Sequence, residues 1–311
     1  VSERLILSLF MYNYQGFGLH ILSEIEFPEL LPAIADIADI TVKIGDVPVN
    51  INGKRLQGND ISYIINEEEL LFSVKDIATY YAAYGREIII APETGNLEMR
   101  SIRLFVLATA IAAILLQRGL LPLHASAILD EDELVLICGR SGAGKSTTLA
   151  GLCKQGYTIF SDDITVLQQC TDTNVITGTA SYPMIKLWED SLLTLDQPFF
   201  QDRSFPVRPG MDKYGIFFHD DFNSNEYPVK KILLLDIGED NEVRSKKLTG
   251  TQAFEAISNQ IYRPVLLHSQ SLRTLSFQVI SKLLQRADIY YISRPMHCKP
   301  EKLLSVISSL V

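Results

Sequence analysis

The chain has 311 residues, 47% of them hydrophobic, and a formal net charge of −9. That much apolar material can bury a sizeable core and leaves room for two domains, while an acidic balance with no Lys/Arg-rich cluster excludes nucleic acid as a partner. Cys138, Cys153, Cys170 and Cys298 show no C-x-x-C spacing and read as reduced thiols of a cytoplasmic protein, and the longest apolar stretch, residues 104–116, is too short to span a bilayer and predicts no membrane partner.

In chain order, residues 1–100 predict a smaller, strand-rich α+β N-terminal domain. Apolar alternation at 5–7, 19–22, 40–44 and 88–90 argues strands, and Pro28, Pro32, Pro48 and Pro92 cut the pattern into short pieces. No chemistry stands out there, which leaves two roles open: substrate recognition, or simple cover of apolar surface and assembly of a homo-oligomer. Residues 101–311 predict an α/β catalytic domain, opened by a buried bridging helix at 101–119. Apolar strands at 134–138, 157–160, 164–167, 232–236 and 289–292 alternate with helices at 145–155, 252–261 and 272–284. A closing helix carries Leu303, Leu304, Ile307 and Leu310 on one side.

The strand at 134–138 runs into Gly139-Arg140-Ser141-Gly142-Ala143-Gly144-Lys145-Ser146-Thr147, a complete G-x-x-x-x-G-K-[ST] phosphate loop. Its glycines let consecutive backbone N–H groups turn inward around phosphate oxygens, and the following helix adds its N-terminal dipole. Residues 139–147 therefore predict nucleoside triphosphate binding, with Lys145 on the β/γ oxygens and Ser146 on Mg²⁺.

A transferase also needs a base beside the acceptor and a second metal ligand. Asp162-Asp163, at the end of the next apolar strand, supplies two carboxylates that point to opposite faces if the strand bends as it ends, one toward a metal and one toward an incoming hydroxyl. An Asp-rich turn on a solvated edge gives the same two letters. Asp236, closing the run 232–235, is a competing metal ligand, though any buried strand that exits into a polar loop gives the same pattern and an ordinary strand exit is the favoured reading. His124 sits among apolar neighbours fifteen residues before Gly139, a place where a lone histidine is more often a core side chain than a catalytic one. His20, His219, His268 and His297 share no metal-ligand spacing.

Taken together, His124, the loop 139–147 and Asp162-Asp163 resemble the catalytic domain of HPr kinase/phosphorylase in order and spacing. The resemblance covers residues 118–311. It implies that Lys145 and His124 contact the phosphates, that Ser146 holds metal with Asp162 nearby, and that Asp163 takes the proton from an acceptor serine. The segment 14–19, Tyr-Gln-Gly-Phe-Gly-Leu, together with 23–25, 28–30 and 117–124, is similar to the serine kinases of lasso-peptide clusters, which phosphorylate a precursor peptide. Two departures qualify the match. The family's glutamate-bearing signature has no clear copy in 181–190, where Glu189 is the available carboxylate, and the glycine-arginine pattern tied to reverse phosphorolysis is not evident in 207–213. The expectation is thus an ATP- and Mg²⁺-dependent serine kinase acting on a peptide or small protein, with an HPr kinase, a small-molecule kinase and a non-catalytic nucleotide-sensing module as alternatives.

Overall fold

The structure, a computed structural model, describes residues 11–93, 98–195, 200–208, 210–239 and 241–311; the strand expected at 5–7 lies outside them. Two compact units emerge, Val1–Leu120 with Arg263–Leu275, and Leu121–Tyr262 with Ser276–Val311.

The first unit is built on a nine-stranded sheet. Its strands are β1 (Tyr12–Gly16), β2 (Leu19–Ser23), β3 (Leu31–Pro32), β4 (Ile40–Ile44), β5 (Lys54–Gln57), β6 (Ile61–Ile65), β7 (Glu69–Val74), β8 (Ala78–Ala83) and β9 (Glu87–Pro92). They lie in the order β3-β1-β2-β4-β9-β8-β7-β6-β5, antiparallel except where β4 runs parallel to β2 and β9. Helices α1 (Met99–Phe105) and α2 (Ile111–Gln117) follow, joined by a π-helical turn, Val106–Ala110. The Glu98 carboxylate accepts from the Ser101 backbone N–H at 2.6 Å and starts the helix well before its apolar run begins. The continuous span Met99–Gln117 is therefore long and apolar enough to cross a membrane by length and composition, yet 67% of its most apolar window is buried in the protein.

That helix falls within the first unit, where residues 101–119 were expected to open the second. The reason is polar anchoring to the first sheet. Tyr80 donates to the Ile102 carbonyl at 3.3 Å, and the Gln117 amide joins Gly85 N–H (2.8 Å) to the Ala82 carbonyl (3.2 Å). Arg103 donates through Nε to both Glu29 oxygens at 3.0 Å, and both residues are buried. Removing one partner of such a pair strands a charge in a poorly solvated place, so Glu29→Ala should lower unfolding free energy by about 3–5 kcal/mol, read by urea denaturation.

The second unit carries β10 (Leu121–Leu123), β11 (Ala125–Asp130), β12 (Glu133–Gly139), α3 (Lys145–Lys154), β13 (Thr158–Ser161), β14 (Thr165–Gln169), β15 (Ile176–Ala180), β16 (Met184–Trp188), α4 (Glu189–Leu195), β17 (Lys213–Phe217), β18 (Tyr227–Ile237), β19 (Arg244–Leu248), α5 (Gly250–Ser258), α6 (Gln270–Leu283, whose first turns belong to the first unit), β20 (Asp288–Arg294) and α7 (Pro300–Ser308). It is a mixed α/β unit. β18 is parallel to β12 and to β20, and the buried stretches of β12 and β18 are near-continuous apolar runs, as strands covered on both faces must be. β11 is antiparallel to β12 and to β13, so β12 and β13 point the same way with one strand between them. Leu149 and Leu152 of α3, and Leu303 and Ile307 of α7, pack with Val135, Ile137, Leu233, Leu235 and Ile292 in one buried cluster.

This topology brings the chemistry-bearing positions to one sheet edge. The C-terminal ends of β12, β13, β18 and β20, and the start of β11, all meet there, presenting the glycine loop, Asp162-Asp163, Asp236, Arg294 and His124 respectively.

Candidate active site

Between β12 and α3 the loop turns on Gly142 (φ +83°) and Gly144 (φ +106°), backbone states that an L side chain resists. Arg294, the last residue of β20, fixes it from outside: Nε donates to the Ala143 carbonyl at 2.9 Å and an Nη to the Gly142 carbonyl at 3.1 Å. Gly139 N–H donates to the Gln260 side-chain oxygen at 3.1 Å. A Cβ on Gly139 would lie 2.3 Å from the Leu235 carbonyl oxygen of β18, its parallel partner. Gly139→Ala should force the two central strands apart and lower stability by about 2–3 kcal/mol, a loss visible as a fall in Tm.

Lys145, the first residue of α3, is 8% exposed, and its ammonium donates to the Gly139 carbonyl (2.7 Å) and to His124 Nε2 (3.0 Å). Nε2 is thereby an acceptor, which leaves the ring hydrogen on Nδ1, 2.9 Å from the Asp163 carbonyl oxygen. Burial lowers the pKa of Lys145, against the pull of Asp163 and Asp162. His124 is likewise lowered below the ordinary imidazole value, by burial first, with Lys145 adding and Asp163 opposing. His124 is neutral at pH 7.

The two aspartates are separated by a tight turn instead of by strand alternation. Ile164 N–H donates to the Asp162 carbonyl at 2.8 Å across Asp163, whose φ is +68°. This is a three-residue γ-turn of the uncommon, strained kind, and strain held in place by its surroundings is a frequent property of functional positions. Asp162 is 1% exposed and fully engaged, accepting from Ser126 Oγ (2.6 Å), Ser146 Oγ (3.1 Å) and Lys186 N–H (2.8 Å). Asp163 instead meets Lys186 Nζ at 2.7 Å and His124 Nδ1 at 3.4 Å. Burial opposes the Asp163 charge, but the Lys186 ammonium outweighs it and holds the carboxyl well below the usual carboxylate range. The Lys186 ammonium is raised in turn, because Asp163 more than offsets its own burial. Together they form an ion pair at the base of the site.

A cavity of about 570 Å³ collects these groups. Of the loop residues expected to bind nucleotide, Ser141, Gly142, Gly144, Lys145, Ser146 and Thr147 line it, as do His124, Asp162 and Asp163. Gly139, Arg140 and Ala143 do not: Gly139 sits against β18, the Ala143 side chain is buried, and the Arg140 guanidinium turns outward to Asp236 at 3.0 Å. Asp236 is also bound by Tyr291 and lies outside the cavity lining, so it is a strand exit. Glu189 pairs with Arg203 at 3.6 Å, and it is Asp190 that lines the cavity.

Among the described residues no group of three or more His, Cys, Asp or Glu could hold a metal ion by itself. Ser146 and Asp162 nevertheless fit Mg²⁺, which typically takes one or two carboxylates and completes its octahedron with water and substrate phosphates. Lys186, Lys213, Arg294 and Gln260 carry parts of the site that motif reading did not assign. The one sequence signal was Lys186 itself, a charge inside the otherwise apolar run 184–188 that turns out to be 8% exposed.

No protein-family model matches the chain, and no curated protein matches it. Among solved structures it is similar to the Hpr(Ser) kinase/phosphatase from Coxiella burnetii, over 61% of this chain and 89% of that one, at 13% identity and a TM-score of 0.31. A likeness this loose carries no correspondence between residues.

Proposed function

We propose that the chain is an ATP-dependent serine kinase that moves the γ-phosphoryl group of MgATP to a serine hydroxyl of a peptide or small protein. The observation that carries this reading is Asp163. A carboxylate kept ionised by a buried lysine faces the same cavity as the phosphate-loop lysine and Ser146, and a site that only bound nucleotide would have no use for an acceptor-side base.

Loop N–H groups, the α3 N-terminus and Lys145 grip the phosphates. Lys145 exchanges its bonds to the Gly139 carbonyl and His124 for phosphate oxygens, and His124 offers a polar contact at the γ end. Ser146 and Asp162 would hold Mg²⁺, which would supply neutralisation of phosphate charge. The serine oxygen attacks the γ-phosphorus in line, the bond to the β–γ bridging oxygen breaks, ADP leaves with that oxygen, and the hydroxyl proton passes to Asp163 and then to water. Asp163 is a weak base because Lys186 stabilises its anion. That suffices where the transition state is loose and the proton leaves late, so that alignment of the hydroxyl counts for more than basicity.

The peptide acceptor rests on the motifs at 14–30 and 117–124. The first unit has β5 at the end of its sheet among the described residues, an edge to which an extended chain can add as a strand. The test is mass spectrometry of the full chain with MgATP and either a lasso-type precursor peptide or HPr. A gain of one phosphoryl group on serine supports the reading and identifies the acceptor class; bound ATP with no transfer to either would leave a nucleotide-binding module.

A further inference from the structure

The cavity has two chemically different halves. One is the polar pocket of the loop and its aspartates. The other holds Leu187 and Trp188 of β16 and, in the segment leaving β20 and entering α7, a wall made by Met296, Cys298 and Pro300 with Leu303 and Leu304 of α7. A triphosphate has no use for such a wall, because charged oxygens laid against it would lose water and gain nothing. α7 packs alongside α3, the helix whose N-terminus faces the phosphates, so the wall lies beside that helix, on the α7 side of the cavity. Arg294 ties the two halves at a fixed spacing, since the guanidinium that holds the Gly142 and Ala143 carbonyls also donates to the carbonyls of Pro295 (3.0 Å) and Met296 (3.2 Å).

We propose that this wall seats the nucleobase of the bound triphosphate by its flat face. The inference rests on the nucleotide reading above and extends it to base selection. Four of the five side chains carry no hydrogen-bonding hydrogen or strong acceptor, and the Cys298 thiol is turned to the Lys299 carbonyl at 3.3 Å. The wall thus offers dispersion and apolar burial and nothing that reads the edge of a purine. Strong discrimination needs buried polar groups that the wrong ligand leaves unpaired, so MgATP and MgGTP bind alike, within about threefold.

Cys298 is the reporter. The full chain is treated with N-ethylmaleimide alone, with MgATP, with MgGTP, and with magnesium tripolyphosphate, and modification is mapped by peptide mass spectrometry. Cys170, partly exposed and outside the cavity lining, serves as internal control. Both nucleotides should slow Cys298 modification about tenfold or more and leave Cys170 unchanged, while tripolyphosphate at saturation protects neither. Met296→Asp, at a position 67% exposed and so harmless to folding, should weaken both nucleotides about tenfold and leave tripolyphosphate affinity unchanged. Calorimetrically bound MgATP that fails to protect Cys298, equal protection by tripolyphosphate, or unaltered nucleotide affinity in Met296→Asp would each overturn the base site while leaving the phosphate site standing. Absence of binding by all three ligands would instead overturn the nucleotide reading itself.

Discussion

Lys145→Ala should abolish phosphoryl transfer, lowering kcat/KM by about 10³-fold or more, because charge stabilisation and alignment of the γ-phosphate are lost together. Its effect on folding should have the opposite sign. Burial lowers the Lys145 pKa, so the ammonium is less comfortable in the folded chain than in the unfolded one, and at pH 7 its charge costs stability. Urea denaturation at that pH should find the alanine variant unchanged or slightly more stable. Near-normal turnover would remove the loop from the reaction, and a large loss of stability would mean that the bond to the Gly139 carbonyl matters more than the desolvated charge.

The second large effect separates the carboxylates. Asp163→Asn should leave MgATP affinity within a few-fold of the parent and cut transfer by roughly 10²–10⁴, the usual worth of a positioned base. Asp162→Asn should act on the other parameter, weakening Mg²⁺-dependent nucleotide binding, since the Asp162 carboxylate meets Ser146 and meets Lys186 only through its backbone N–H. Asp163→Asn also strands the buried Lys186 ammonium, at a cost of about 3 kcal/mol. The double variant Asp163→Asn/Lys186→Met should recover that stability and none of the activity. Recovery of activity would make Asp163 a structural counterion only. The pH dependence follows from the same pair. Because the folded Asp163 carboxyl is held below its ordinary value, its stabilising contribution is fully present above the unfolded value of about 3.9 and is lost only as pH falls through the lower folded value. Urea midpoints measured from pH 7 down to pH 5 should show no loss attributable to this pair.

What the sequence disclosed about this site was whatever lies within one turn or one strand. The glycine loop could be read because its spacing is itself the geometry, and Asp162-Asp163 because a strand end announces itself by a change from apolar to acidic. Their division of labour came from a different cause than strand alternation. The strained turn at Asp163, not the pleat, sends one carboxylate to Ser146 and the other to Lys186. Lys186 and Arg294 escaped because nothing local distinguishes them; the first is brought in by a backbone bond from β16 to Asp162, and the second by the parallel pairing of β20 with β18. Gln260 reaches Gly139 from a position 121 residues away. The membership of helix 99–117 was hidden for the same reason, since its polar ties run to Glu29 and to residues 80–85, and only the folded sheet shows which neighbour an apolar helix has chosen.

Arg294 also bears on how fast a ligand can be captured. With the Gly142 and Ala143 carbonyls held by its guanidinium, the loop is already in shape before any collision, and the rearrangement needed is a swing of the Lys145 side chain away from His124 and the Gly139 carbonyl. Encounter is then the slow event. Stopped-flow association should appear as a single phase whose rate rises linearly with nucleotide concentration and falls with ionic strength, while Arg294→Ala should add a slower, concentration-independent step as the loop finds its form.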